Sequence, residues 1–115
     1  MNKEEAIQYL LRHNWPTDDE LVEFAERGHG FGGDDGYYGI TYPDDLDEYE
    51  IEVEKRKIPN GMIEIDYWDG QNDSLLVEEE FYLEKLKEYF ANKGKLNDAN
   101  KIDTLITKAL SRRRE

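Results

Sequence analysis

Carboxylates are the side chains of this 115-residue sequence that could do the most chemistry. The segment from Asp34 to Glu54 holds nine of them and no lysine or arginine. Its second half alternates acidic with apolar residues, and a period of two predicts a β-strand with two different faces. We expect Tyr49, Ile51 and Val53 to face a core. The intervening glutamates then form a ladder on the opposite face of a sheet: Glu48, Glu50, Glu52 and Glu54.

Catalytic chemistry has weaker support in the sequence. Only His13 and His29 have side chains whose ordinary pKa lies near neutrality. The chain has no cysteine, no G-x-S-x-G nucleophile motif and no H-E-x-x-H zinc motif. Because it carries 28 aspartates and glutamates, a pair of carboxylates indicates no particular acid–base reaction. We expect no enzymatic activity.

Two further segments could bind ions. The glycine-rich segment Gly28–Gly36 is predicted to follow a helix and precede a strand, whereas phosphate-binding loops precede a helix N-terminus, so we interpret it as a connector. An EF-hand pattern that starts at Asp69 lacks the glycine at its sixth position. Weak adventitious calcium binding stays open for Asp34–Asp45 and Asp69–Glu80. We expect no cofactor and no resident metal.

The charge of the chain is concentrated in its middle. Residues 18–84 hold 22 acidic and four basic side chains, and the formal net charge of the whole chain is −13. Nucleic acid and anionic membrane would be repelled, so we expect neither as a partner. Since the sequence has no cysteine, no secretory signal and no apolar stretch near the ~20 residues of a membrane span, we expect one cytoplasmic domain over residues 1–115.

Helices are predicted at both ends of the chain, where apolar residues recur with a helical period. One spans residues 3–14, and a second begins at Thr17, which forms a T-x-x-E capping box with Glu20. Two more are expected from Glu79 to Lys93-Gly94 and near Asp98–Ser111. Strands are predicted between them, at Tyr37–Tyr42, Asp47–Lys55, Met62–Trp68 and, less regularly, Ser74–Glu78.

These elements predict an α+β fold. Short turns join the strands and no crossover helix separates them, so the sheet is an antiparallel meander of three to four strands. Two N-terminal and two C-terminal helices flank this meander and cover one of its faces.

The uncovered face of this sheet is the candidate binding surface. Alternation in the third strand points Glu64, Asp66 and Trp68 away from the core, on the side of the predicted glutamate ladder. An ordinary solvated sheet face is the simpler interpretation. However, like charges opposite each other across strands cost stability, which favours a face kept for a basic partner. The predicted partner-binding residues are Tyr37, Glu48, Glu50, Glu52, Glu54, Glu64, Asp66, Tyr67, Trp68 and Asp69.

In size, acidity and element order the chain resembles the immunity proteins of bacterial polymorphic and contact-dependent growth inhibition toxin systems. The resemblance extends across the whole chain and rests on no signature motif. Two neighbouring segments are similar in character to such families, residues 58–70 and 79–90, which read I-P-N-G-M-I-E-I-D-Y-W-D-G and E-E-F-Y-L-E-K-L-K-E-Y-F. It implies an antitoxin that docks over the active-site cleft of a basic toxin nuclease domain. Two alternatives stay open: an acidic nucleic-acid mimic that blocks a DNA- or RNA-binding protein, and a small carboxylate-rich metal binder.

Overall fold

The structure of the chain is a computed structural model that describes residues 2–33 and 37–114, without the side chains of residues 113 and 114. Part of the predicted connector and acidic segment, at residues 34–36, lies outside the described residues. The described chain forms helices and strands in the order α1 (Lys3–Leu11), α2 (Asp18–Arg27), β1 (Phe31–Gly33), β2 (Tyr38–Thr41), α3 (Glu48–Glu52), β3 (Met62–Trp68), β4 (Asn72–Glu78), α4 (Glu79–Asn92) and α5 (Leu96–Arg114).

The four strands form one antiparallel sheet in the order β1-β2-β3-β4. The central pairing places Ile40 opposite Ile65, and Ile65 in turn opposite Leu75. β3 pairs with β4 along its whole length, from Met62–Glu78 to Trp68–Asn72. The α+β class, the antiparallel meander and the helices at both ends of the chain are therefore confirmed.

The hydrophobic core lies against one face of this sheet. β3 alternates as predicted, since Ile63, Ile65 and Tyr67 are buried while Glu64 and Asp66 are only partly covered. Helix α1 contacts β2, β3 and β4, while α4 packs on α5 and also touches β4. The largest fully buried side chains come from these elements: Tyr82, Phe90, Ile7, Leu10, Ile63, Ile65, Leu83, Leu86, Ile102 and Val77.

The predicted start of α2 is confirmed by its capping contacts. The Glu20 backbone N–H donates to the Thr17 hydroxyl at 3.2 Å, and the Glu20 carboxylate accepts from the Thr17 backbone N–H at 3.2 Å. The helix ends at Gly28, whose φ of 61° is the left-handed conformation that glycine adopts without steric cost. Side-chain and backbone signals at these two positions thus fix both ends of α2.

The predicted strand Asp47–Lys55 is wrong, because its centre forms the short helix α3. The Asp47 carboxylate accepts from the Glu50 N–H at 2.8 Å, and the Glu50 carboxylate accepts from the Asp47 N–H at 3.3 Å. This capping box favours a helical turn, and glutamate is depleted in strands. The apolar residues predicted to face the core are instead exposed: Tyr49 (60%), Ile51 (50%) and Val53 (61%).

The glycine-rich segment also differs from its predicted role as a connector, since Phe31–Gly33 forms the edge strand β1. Its glycines oppose β2, with Gly32 paired to Gly39. A Cβ atom on Gly39 would lie only 2.6 Å from the Phe31 carbonyl oxygen, so this pairing depends on glycine. The other predicted elements are confirmed in type and differ from the structure only in where they begin or end.

Asp18 ties α2 to the segment that joins α4 and α5. Its carboxylate accepts hydrogen bonds from Lys93 Nζ at 2.8 Å, Lys95 Nζ at 2.6 Å and the Tyr89 hydroxyl at 2.9 Å. Desolvation opposes the ionised form, but these donors outweigh it and lower the pKa of Asp18 to about 2. The carboxylate therefore stabilises the contact between the N-terminal and C-terminal helices.

Replacing Asp18 with asparagine is expected to lower the free energy of unfolding at pH 7 by about 1–2 kcal/mol. Because the pKa of Asp18 is depressed by folding, its contribution is present above about pH 4 and disappears as the pH falls toward 2. Urea unfolding of the wild type and D18N between pH 2 and pH 7 measures this difference. The neighbouring exposed Asp19→Asn is the control, and an equal effect of both substitutions would contradict the assigned role.

Candidate protein-binding surface

The face of the sheet that is turned away from the core carries the acidic and aromatic side chains of β3. Glu64, Asp66 and Trp68 alternate with the buried residues of this strand. The register places Thr41 and Leu76 on either side of Glu64, and Gly39 and Ser74 on either side of Asp66. The predicted alternation of β3 between core-facing and outward-facing residues is therefore confirmed.

Arg56 joins helix α3 to this outward face. One guanidinium nitrogen (Nη1) contacts the Glu50 carboxylate, and the other (Nη2) lies 2.8 Å from Glu64 Oε1. These half-buried contacts bring the segment after β2 alongside β3. We call the combined region the acidic surface; it consists of Tyr37, Glu64, Asp66 and Trp68 together with residues 48–54.

A cleft of about 520 Å³ separates parts of the acidic surface from the β1 edge of the sheet. Its lining includes Glu50, Arg56 and Asp66, together with the turn before β1. In that turn His29 Nδ1 lies 2.9 Å from Asp45 Oδ1. The second carboxylate oxygen of Asp45 accepts the backbone N–H groups of Gly30 and Tyr42, each at 2.8 Å. Asp45 therefore organises this side of the cleft.

Asp66 is a partly buried carboxylate of the acidic surface. Partial burial disfavours its charged form, and the negative charge of Glu64 adds to this effect. The positive charge of Arg56 opposes both, and the resulting pKa of Asp66 is raised to about 6. Among residues 2–33 and 37–114, the carboxylate of Asp66 makes no hydrogen bond or ion pair. A cation brought to the cleft would find this carboxylate available.

An aromatic pair lies at the end of β3. The rings of Tyr37 and Trp68 have centroids 5.0 Å apart at an interplanar angle of 67°, an edge-to-face contact, and both side chains are exposed. The backbone carbonyl of Tyr37 accepts a hydrogen bond of 3.2 Å from the Tyr9 hydroxyl. This pair is therefore held in place while much of its apolar area stays in contact with solvent.

The structure brings some of the predicted site residues together and separates others from them. Tyr37, Glu64, Asp66 and Trp68 lie together on one face, and Glu50 is joined to them through Arg56. The remaining predicted glutamates are exposed on α3 or just after it: Glu48, Glu52 and Glu54. The predicted ladder of glutamates on a sheet face is therefore wrong.

Tyr67 and Asp69, two further residues predicted to bind the partner, differ in their exposure. The Tyr67 ring is buried, so it is unavailable as a surface anchor. Asp69 is exposed in the turn after β3. Alternation along β3 already placed Tyr67 among the core residues, and the structure follows that alternation.

Sequence reasoning missed the most exposed apolar residues of the acidic surface, which are Tyr49, Ile51 and Val53. The D-x-x-E pattern at Asp47–Glu50 could have found them, because it predicts a helix start where alternation predicts a strand. No sequence signal indicated that Arg56 bridges two carboxylates.

The two histidines, which were the candidates for catalytic chemistry, make contacts with neighbouring side chains. His13 stacks on Tyr38 with ring centroids 3.7 Å apart, whereas His29 pairs with Asp45. Among the residues that the structure describes, no three histidine, aspartate or glutamate side chains are grouped so that they could hold a metal ion. In the same residues no helix is both long enough and apolar enough for a membrane span.

Comparison with known proteins gives one partial similarity. The chain is 30% identical over 112 residues to Protein LAS1 of Saccharomyces cerevisiae, and the match covers 92% of this chain and 22% of LAS1. The chain thus spans about a fifth of the length of that relative. No protein-family model matches the sequence. No solved structure matches it either.

In helix α3 the side chain of Ile51 is exposed, whereas in the predicted strand it would face the core, and the two arrangements predict different effects of a substitution at Ile51. Ile51→Ala should change the free energy of unfolding by less than about 0.5 kcal/mol, because Ile51 is half exposed. Ile65→Ala in the core should cost about 2–5 kcal/mol. Chemical denaturation of both variants measures the difference, and a large loss in I51A would show that this side chain is buried.

Asp66→Asn is expected to increase stability at pH 7 by about 1–2 kcal/mol. Since folding raises the pKa of Asp66, the carboxyl group of Asp66 holds its proton more tightly in the folded wild type than in the unfolded chain. Wild-type stability should therefore decline as the pH rises from about 4 through about 6, and D66N should lack this decline. Urea unfolding across this range tests the effect, with Asp69→Asn as the exposed control. An unchanged pH profile in D66N would contradict it.

Proposed function

We propose that this protein binds a basic protein partner through the acidic surface. We further propose that it acts as an immunity protein, which neutralises a toxin nuclease domain by covering its active-site cleft. The observation that carries the proposal is the presence of exposed aromatic and aliphatic side chains within a dense group of carboxylates. Exposed apolar area that a soluble chain leaves beside charged residues is typical of binding sites.

The apolar part of the acidic surface would supply the binding energy. Tyrosine and tryptophan are enriched among the residues that dominate protein–protein binding, and Tyr37 and Trp68 are already held together. On α3, Tyr49 and Ile51 project from a short helix that Arg56 fastens to the sheet. Rigid placement of such side chains lowers the entropy that is lost on binding.

The carboxylates would supply partner selection and rate. The net charge of −13 attracts a basic protein and accelerates its encounter, by up to ~10³ at low salt. Among the described residues the Asp66 carboxylate makes no ion pair, so a lysine or arginine of the partner would meet a partly buried carboxylate there. Binding of this kind weakens as salt screens the charges.

A nucleic-acid mimic shares this charge but predicts a different partner. It would occupy the DNA- or RNA-binding site of a host protein, and DNA would compete with it. The acidic surface favours a specific protein partner because its apolar residues have no counterpart in a phosphate backbone. A carboxylate-rich metal binder would require grouped ligands, and the described residues contain no such group.

Co-expression tests the immunity function directly. The C-terminal domain encoded by the reading frame immediately upstream would be expressed in a bacterium with and without this chain. We expect growth arrest without the chain and growth with it, and the two proteins should co-purify as a salt-sensitive complex. Toxicity that the chain does not relieve would contradict the proposal. The proposal would also be contradicted if excess duplex DNA displaced the chain from the domain while the chain did not inhibit the activity of the domain.

Charge reversal on the acidic surface tests where the partner docks. Glu52→Lys/Glu54→Lys is expected to weaken the complex at least about tenfold at low salt and to reduce its salt dependence. The control is Glu26→Lys/Glu84→Lys, which changes the net charge equally at exposed positions on α2 and α4. Equal weakening by both pairs would show that only the overall charge matters and would contradict docking at this surface.

A further inference from the structure

Strand β4 is an unprotected edge of the sheet. It lies at the end of the strand order and pairs over seven residues with β3 without a bulge. Edge strands are normally protected by lysine, proline, bulges or short length. The central residues Ser74–Val77 contain none of these features, and Leu76 is 42% exposed. This edge can therefore accept another strand.

The backbone of β4 supports the same interpretation. Beyond its ladder with β3, the backbone of β4 makes one other hydrogen bond among the described residues, from the Ser74 N–H to Asp73 Oδ1 at 2.8 Å. That bond is local and lies near the exposed start of the strand. Amide and carbonyl groups along the open edge are thus left to solvent, as in sheets that bind peptides by strand addition.

A second copy of the chain is a poor occupant of this edge. Each copy carries a net charge of −13, so two copies repel each other. The charges therefore select an occupant that is basic.

We propose that an extended basic segment of the partner adds to the open edge of β4 as a fifth strand; this rests on the proposed function and specifies how its partner is held. The register supports the choice, because Glu64 lies beside Leu76 and Asp66 beside Ser74. An added strand would lie ~4.8 Å from β4 and about 10 Å from β3. Long basic side chains on its outer face then reach across β4 towards Glu64 and Asp66, and their methylene stems cover Leu76.

An eight-residue peptide of alternating lysine and valine, blocked at both ends, serves as the probe. Titrated into the ¹⁵N-labelled full chain, it should shift the amide resonances of β4 and slow exchange of its outward-facing amides about tenfold. The same peptide with every backbone amide N-methylated can donate no hydrogen bond along either edge, and it should bind at least about tenfold more weakly. A glutamate–valine peptide should not bind.

Leu76→Lys places a positive charge on the edge strand, and it should weaken binding of the lysine–valine peptide about tenfold. The control is Leu96→Lys, which adds the same charge at an apolar residue that is 64% exposed at the start of α5. Strand addition is overturned if both variants weaken binding equally, if N-methylation has no effect, or if the peptide fails to bind. Peptide-induced shifts confined to α3 would overturn it while leaving docking at the acidic surface intact. Failure of the co-expression rescue would instead overturn the immunity function.

Discussion

One-sided burial of the sheet is the constraint on which the rest of the structure depends. Helix α1 packs across three strands, so Ile63 and Ile65 of β3 must face it. Because side chains of a strand alternate, Glu64 and Asp66 are then forced to the opposite face whatever their charge costs there. The position of Arg56 follows from this, since a guanidinium between Glu50 and Glu64 offsets part of the repulsion and fixes α3 beside the sheet.

Two aspartates show how differently the chain treats its carboxylates. Asp18 is surrounded by Lys93, Lys95 and Tyr89, and its pKa falls to about 2 although desolvation acts in the other direction. Asp66 is also desolvated, but it lies beside Glu64 and its carboxylate accepts no hydrogen bond among the described residues, so its pKa rises to about 6. The first arrangement stabilises the fold, whereas the second costs stability, which is common at positions kept for binding.

The fold class and the core could be predicted from the sequence because they depend on periodicity over long segments. α4 and β3 each repeat their pattern for at least seven residues, and packing agrees with local preference there. Asp47–Lys55 failed because two patterns compete in it. Alternation predicted a strand, but the capping contact between Asp47 and Glu50 acts over only three residues and needs no partner strand. Of the candidate surface, the β3 residues could be predicted, whereas the bridge through Arg56 depends on tertiary contacts that no local pattern encodes.

The error in Asp47–Lys55 changes the physical character of the candidate surface. A glutamate ladder on a sheet would be purely electrostatic, with its apolar residues buried and its binding lost in salt. In the structure, Tyr49 and Ile51 on α3 and Val53 just after it are exposed beside the same glutamates. A partner can then bury apolar area while the carboxylates select a basic surface, and burial persists when salt screens the charges. Acidity alone would attract many basic proteins, but apolar side chains held at fixed positions next to that charge restrict binding to a partner of complementary shape.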